Sequence, residues 1–273
     1  MNATESVFYW ATALFHAATF FTVLLALVFR KGRAFDFGRI FFLLAFVTLT
    51  VFGVLRWIRT GHPPFVTLFE SMITAIWFVV LIFHLVRHRL PHFAILLLPV
   101  SAVSFLLLGW SSALPHEASP LSAALTNTWL FIHASFATSG AAAFLIAASF
   151  GVVYLLGETR LVSVQRTIAA VPEYTALPKA MLNFVIFGLI LWGVMIVSGS
   201  IWAHVAWGRY WAWDPIELWS LISWLIYALL LHARLTFKMP QRVFAWLVII
   251  AAATVAFSLW GVQYLYDTIH TYG

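Results

Sequence analysis

Cysteine is absent from these 273 residues. That excludes disulfides, thiolate metal sites and any CxxCH site through which the chain would carry covalent haem of its own. Charge is scarce: Asp, Glu, Lys and Arg make up 9%, against roughly 25% in a soluble domain. There is no internal repeat and no low-complexity linker, and the longest polar connection, near 157–180, is too short for a domain. The N-terminus opens on Asn2, Thr4 and Glu5, without a basic n-region or a small-residue cleavage site. Its first apolar run is therefore expected to stay as a helix.

What fills the chain is apolar: 63% of residues are hydrophobic. Eight apolar stretches, near 7–29, 40–56, 67–86, 92–110, 128–156, 181–203, 215–234 and 243–266, are bounded by charges, Pro or Gly. At about 20 residues per span, they predict an all-α, polytopic membrane helix bundle of about eight transmembrane helices, one membrane domain over 1–273. Apolar runs of this length read as helices rather than barrel strands.

The connections sort by charge. Arg56, Arg59 and Arg209 fall on one side, and the remaining 12 of the 15 Lys and Arg residues fall on the other. The positive-inside rule puts the basic set in the cytoplasm and both termini outside. The basic charge balance is thus a topology signal and gives no reason to invoke nucleic acid.

The densest chemistry lies in the predicted outer loop near 202–219, where Trp202, Trp207, Trp211, Trp213 and Trp219 fall within 18 residues. One or two tryptophans would be an interfacial belt. Five, with Gly208 and Arg209 among them, suggest a flat aromatic platform for a planar π-system such as a porphyrin. Arg209 suits a propionate carboxylate as well as it suits a snorkelling interfacial role. Asp214 and Glu217, which flank Pro215, resemble catalytic carboxylates at first sight. Their spacing instead matches an N-cap, a first helical position and the third position of a capping box.

Ten histidines separate by depth. His133 and His270 should sit near the level of the Trp-rich loop. His232, 15 residues after Glu217, lies roughly 22 Å deeper, and His84 at a similar depth. Two candidate iron-ligating pairs follow, His133 with His270 and His84 with His232, since imidazole is a common axial ligand. Each histidine alone also fits a hydrogen-bonding residue at a helix end. His88, His92 and His116 are expected in solvated loops, His62 either lining the outer site or facing water, and His16 within the first span has no assigned role.

At these residues the chain resembles the CcsA/ResC family of cytochrome c biogenesis proteins, within the wider haem-handling superfamily that shares a WGxxWxWD motif. The match runs through Trp207, Gly208, Trp211, Trp213 and Asp214 to Glu217 and Trp219. Three further segments carry it: Arg56-Trp57 through Gly61-His62-Pro63 to Leu68-Phe69-Glu70-Ser71, then Leu130 to Ser135 around His133, and Gly261 to Gly273 around His270.

The resemblance implies a haem-handling subunit of a cytochrome c synthase (a haem lyase). It would bind haem b non-covalently and present it at the extracytoplasmic face of a bacterial inner or thylakoid-like membrane. It also implies His133 and His270 as outer axial ligands and His232 as a membrane histidine. The partners would be an apocytochrome c bearing CxxCH, a CcsB-type membrane protein supplying the other inner histidine, and a thiol-reducing protein. His84 as an internal substitute for that histidine follows from depth alone. Rival readings are a HemX-like haem-binding regulator, a haem b electron-carrying subunit, and a transporter with an aromatic gate.

Overall fold

A helix buried in lipid satisfies its backbone internally, so the apolar runs fold as helices limited by where polar side chains can cap them. The computed structural model describes residues 1–29, 31–87, 93–117, 127–158 and 176–268. The helices are α1 (Ala3–Phe29), α2 (Gly32–Thr60), α3 (Leu68–Val86), α4 (Leu97–Ser111, entered by a 3-10 turn, Phe93–Leu96), α5 (Thr128–Gly157), α6 (Leu177–Trp207), α7 (Pro215–Thr236) and α8 (Gln241–Ala256). The last runs on through a π-helical turn, Phe257–Gly261, and a 3-10 turn, Val262–Tyr264. Among the described residues, eight helices are long and apolar enough to cross a membrane, and no strand occurs. The protein is an integral membrane protein.

Three helices outrun their predicted bounds by four residues or more, α1 beginning at Ala3 rather than near 7. α2 spans 32–60 rather than 40–56, because Arg33, Asp36 and Arg39 continue it as an exposed turn held by the Asp36–Arg39 pair. α6 ends at Trp207 rather than near 203. The charges taken as boundaries lie inside helices.

α5 is the hub, with α6, α8 and α3 packed around it. Small residues allow this close approach: Gly140 lies against Trp192, and a Cβ on Gly188 would stand 2.7 Å from the Phe144 ring. α1 packs on α2 and α4 through a polar face that hydropathy does not reveal. Glu5, Tyr9, Thr12, His16 and Thr19, spaced 4, 3, 4 and 3 apart, all have no exposed surface. Tyr9 is bonded to Ser111, and Thr12 to Thr48.

At the end of the bundle that carries the Trp-rich loop, this face meets a buried ionic cluster. Arg56 Nε donates to Glu70 Oε1 at 2.6 Å, and Arg56 Nη1 donates to the carbonyl of His116 at 3.0 Å. Arg59 reaches both oxygens of Glu5. The second oxygen of Glu70 accepts the amides of Val66 and Thr67, and Thr67 and Glu70 form the capping box of α3. One arginine thus ties α1, α2, α3 and the segment after α4 together.

His116 is not a solvated loop residue: its ring stands edge-on to Phe69 at 4.7 Å, and its Nε2 is buried. Burial first, then the N-terminal amino group and Arg56, hold its pKa below the ordinary imidazole value. Because the neutral form is favoured in the folded state, stability should decline as pH falls through the unfolded-state value of about 6.5. Replacing His116 with Gln should flatten that decline.

Removing one partner of a buried ion pair strands the other in low dielectric. Arg56→Met should therefore lower stability by about 3–5 kcal/mol. Thermal unfolding in detergent would read this as a large drop in midpoint, and a variant that unfolds like the wild type would show the cluster to be dispensable.

Candidate functional site

The Trp-rich connection is built by two helix ends. α6 stops at Gly208, whose φ of +74° suits a left-handed C-cap, and its N–H bonds the His204 carbonyl at 2.8 Å. Only Gly takes this conformation freely. Six residues later Asp214 caps α7, Pro215 follows, and Glu217 closes the capping box, as the spacing predicts. The box does more than end a helix. One oxygen of Glu217 accepts both the Ala212 N–H at 2.8 Å and the Asp214 N–H at 3.2 Å.

The residue between those amides, Trp213, is held at φ +59° and is 71% exposed. A left-handed conformation costs a non-glycine residue roughly 1–2 kcal/mol. The Glu217 carboxylate supplies the bonds that hold it.

Beneath the loop lies a cavity of about 60 Å³, walled by His133, Gly199, Trp202, Tyr210, Trp211 and Glu217 among others. This is below the usual range for small-molecule pockets, roughly 300–1,000 Å³. His133, from the second turn of α5, donates from Nδ1 to the Met195 carbonyl of α6 at 2.9 Å. A carbonyl only accepts, so Nδ1 carries the hydrogen and Nε2 carries the lone pair needed to bind a metal. The ring stacks on Trp202, 5.9 Å between centroids with 15° between planes. It is seated against Gly199, where a Cβ would stand 2.6 Å from Nδ1.

The tryptophans do not form the single flat platform that the sequence suggests. Trp202 is buried behind His133, and Trp207 meets it at 64°. Trp211 walls the cavity, its buried Nε1 without a hydrogen-bond partner among the described residues. Trp213 stands at 88° to Trp211 and points outward, and Trp219 packs edge-on against Phe257 of the C-terminal segment. The loop is folded upon itself because its helix ends stand close together and no extended strand separates them.

Arg209 is exposed and forms no ion pair among the described residues. His204, also outward, stacks on Tyr210 at 4.2 Å. His62 does not line the cavity. It is buried between α2 and α3, with Nδ1 bonded to the Pro63 carbonyl.

At the other end of the bundle, His84 bonds its own helix at Val80 and stacks on Phe42 and Phe46 of α2. His232 is exposed beside Thr236 and Phe237. The two rings share none of these neighbours. His270 lies outside the described residues. The last described anchor before it is Thr268, whose hydroxyl donates to both oxygens of Asp214 at 2.8 Å.

Gly199, Tyr210, Glu217 and Thr268 join the site without having been singled out as ligand-facing by the sequence. Only Gly199 carries a legible signal, a glycine inside a long helix that costs about 1 kcal/mol and so marks a close approach.

The described residues thus form a membrane helix bundle with a histidine-walled cavity at one end, roofed by an aromatic loop. Its relatives place the chain in a family. Residues 65–270 match the family model described as cytochrome C assembly protein, and the chain belongs to that family.

It is 30% identical over 272 residues to the cytochrome c biogenesis protein CcsA of Guillardia theta, covering 91% of this chain and 90% of that one. It is 30% identical over 264 residues to the CcsA of a Prochlorococcus marinus strain, covering 86% and 83%. It is 32% identical over 269 residues to the CcsA of a Synechococcus strain, covering 83% and 85%. Among solved structures, the cytochrome c heme lyase CcmF superposes with a TM-score of 0.71 at 18% identity, over 94% of this chain and 46% of that one. That likeness shows the fold, and this chain spans about half of that longer protein's length.

The Glu217 bonds give a direct prediction. In Glu217→Ala, the amides of Ala212 and Asp214 should lose hydrogen-exchange protection and the loop should lose about 1–2 kcal/mol of local stability. Glu217→Gln, which keeps an accepting oxygen, should retain part of it. Unchanged protection in Glu217→Ala would show that packing of the tryptophans alone holds the loop.

Proposed function

We propose that this chain is the haem-handling subunit of a cytochrome c synthase, holding haem at the Trp-rich end for covalent attachment to an apocytochrome. The observation that carries the reading is His133. Its Nδ1–H is committed to Met195, its ring is braced by Trp202 and Gly199, and it walls a pocket under the loop. A side chain set in one tautomer and one orientation is what axial ligation of iron needs.

Three features support the reading: an oriented imidazole, aromatic walls, and a buried indole N–H on Trp211 without a hydrogen-bond partner among the described residues. Thr268, tied to Asp214, stands two residues before His270, the second outer ligand in this reading. Arg209, exposed just after the C-cap of α6, would pair with a propionate in this reading.

Haem is the cargo here and brings the chemistry with it: an iron to be capped and vinyl groups to which two cysteine thiols add. Each S–H crosses one C=C, sulfur to the inner carbon and hydrogen to the terminal one, with no net oxidation. The chain's own residues hold and orient. His133 and His270 cap, and the tryptophans wall. Rate enhancement then comes from effective concentration rather than from acid–base groups.

The thiols belong to the substrate, as the absence of cysteine here requires, and a thiol-reducing partner keeps them free. In this reading the basic, opposite end of the bundle faces the cytoplasm, as the positive-inside rule suggests. There the exposed His232 is open to a histidine from a CcsB-type partner.

Purified protein should show a reduced, low-spin haem spectrum that weakens in His133→Ala and in His270→Ala and recovers with imidazole. Gly199→Val, which pushes on the His133 ring without removing it, should weaken haem affinity about 10–100-fold. Haem bound undiminished in all three variants would contradict this site.

A further inference from the structure

Some glycines in the bundle let a neighbour approach. At Gly188 and Gly199 a Cβ would stand 2.7 and 2.6 Å from a packed ring. Gly53, within α2, is different: a Cβ there would meet nothing within 4 Å. Glycine in a helix interior is destabilising relative to residues that carry a side chain, and no close approach accounts for it here. What the missing side chain leaves is space. Gly53 lines a cavity of about 220 Å³ between α2 and α3, walled also by Leu49, Trp57, Pro64, Ile73 and Phe78 among others.

The cavity offers little to a polar guest. Trp77 Nε1 donates to Thr50 at 3.0 Å, Thr50 donates to the Phe46 carbonyl at 2.7 Å, and Thr74 donates to the Pro64 carbonyl at 2.6 Å. Pro63 and Pro64, in the connection between α2 and α3, have no N–H, and the Pro63 carbonyl accepts the Phe65 N–H at 2.9 Å. Each of these polar groups is already satisfied within the wall. Apolar cavities of roughly 150 Å³ stay dry and take up apolar molecules, and this one is larger.

Its place in the bundle selects the molecule. From Leu49 to Trp57 the cavity follows α2 for about 12 Å, within one half of a hydrocarbon core about 30 Å thick. On its open side Val54 and Trp57 are half exposed, and exposed apolar surface on a membrane span faces lipid. The bilayer there supplies extended hydrocarbon chains that run along the helices.

We propose that the space beside Gly53 is a binding site for one hydrocarbon chain of a membrane phospholipid, entering from the leaflet at the Trp-rich end. The bound chain takes the place of the side chain that α2 lacks. It packs behind residues 63–65, the segment that leads into the capping box of α3. The site shares no lining residue with the cavity under the Trp-rich loop, and it does not depend on the haem reading.

The test uses Gly53→Leu, which fills the space, with Gly53→Ala and Gly109→Leu as controls. Gly109 of α4 is equally open at its Cβ and does not line the cavity. Full-length protein, purified and washed in detergent, would be measured by native mass spectrometry with three lipids. These are palmitoyl-oleoyl phosphatidylglycerol, the phosphatidylcholine of the same chains, and dihexanoyl phosphatidylglycerol. The wild type should hold one long-chain phospholipid with either headgroup, and should not hold the short-chain one. Gly53→Leu should lower retention about tenfold or more, because the chain's apolar contacts are lost. It should melt no lower than the wild type and gain nothing from added lipid. Both controls should retain the lipid. A photoreactive group midway along the chain should label residues 49–57 and 73–78 in the wild type.

Equal retention in the wild type and Gly53→Leu overturns the proposal, as does a wild type that holds no lipid after washing. Retention that follows the headgroup and ignores chain length overturns it too, since the contact would then be a headgroup site. A molecule other than a phospholipid, displaced by Gly53→Leu, overturns the occupant named here.

Discussion

The bonds made by two carboxylates in the first turn of α7 are the constraint on which the site depends. Glu217 binds the amides on either side of Trp213, and Asp214 caps the helix and receives Thr268. Without them the five residues between Gly208 and the helix cap Asp214 would have no reason to adopt one shape, because the tryptophans there meet at steep angles and do not stack into a self-supporting sheet. The left-handed Trp213 is the cost of that arrangement. An exposed indole held in a disfavoured conformation by a dedicated pair of hydrogen bonds is where strain belongs in a binding loop.

The same logic governs the membrane part. Lipid offers no hydrogen bonds, so each polar side chain in the bundle needs a protein partner. Arg56 meets Glu70 and the His116 carbonyl, Arg59 meets Glu5, and Tyr9 and Thr12 find Ser111 and Thr48. His16 and Ser223 are exceptions: both are fully buried, and neither the His16 ring nitrogens nor the Ser223 hydroxyl has a hydrogen-bond partner among the described residues. The ionic cluster and the loop stand at the same end of the bundle. Trp260, bonded to Ser71, links the helices of the cluster to those of the site.

Much of this was legible in the sequence, for identifiable reasons. Helix number followed from hydropathy, because membrane spans need length and apolarity and little else. The Asp214–Pro215–Glu217 box was legible because capping is local chemistry at fixed spacing. What escaped is non-local. Arg56, taken to be an outer-loop cation, is buried 14 residues from its partner Glu70, and no window average detects a pair that cancels in space. The polar face of α1 was diluted by apolar residues between its members. The flat platform failed because composition counts indoles without orienting them. His133 was found from its depth and its resemblance, whereas its bracing by Met195 and Gly199, more than 60 residues away, needed the fold.

Taken together, one wall of the cavity is fixed by α5 and α6, and the chain at Thr268 is tied to the cap of α7. Substrate attachment in this account is a matter of presentation, so it should depend on His133 more than on any acid or base. The direct measurement is covalent haem on a CxxCH apocytochrome. It would be co-expressed with this chain and its membrane partner in cells lacking their own attachment machinery, with His133→Ala compared in the presence and absence of imidazole. The account predicts attachment with the wild type, near-complete loss with His133→Ala, and recovery when imidazole is supplied. Attachment by His133→Ala at the wild-type level, without imidazole, would contradict it.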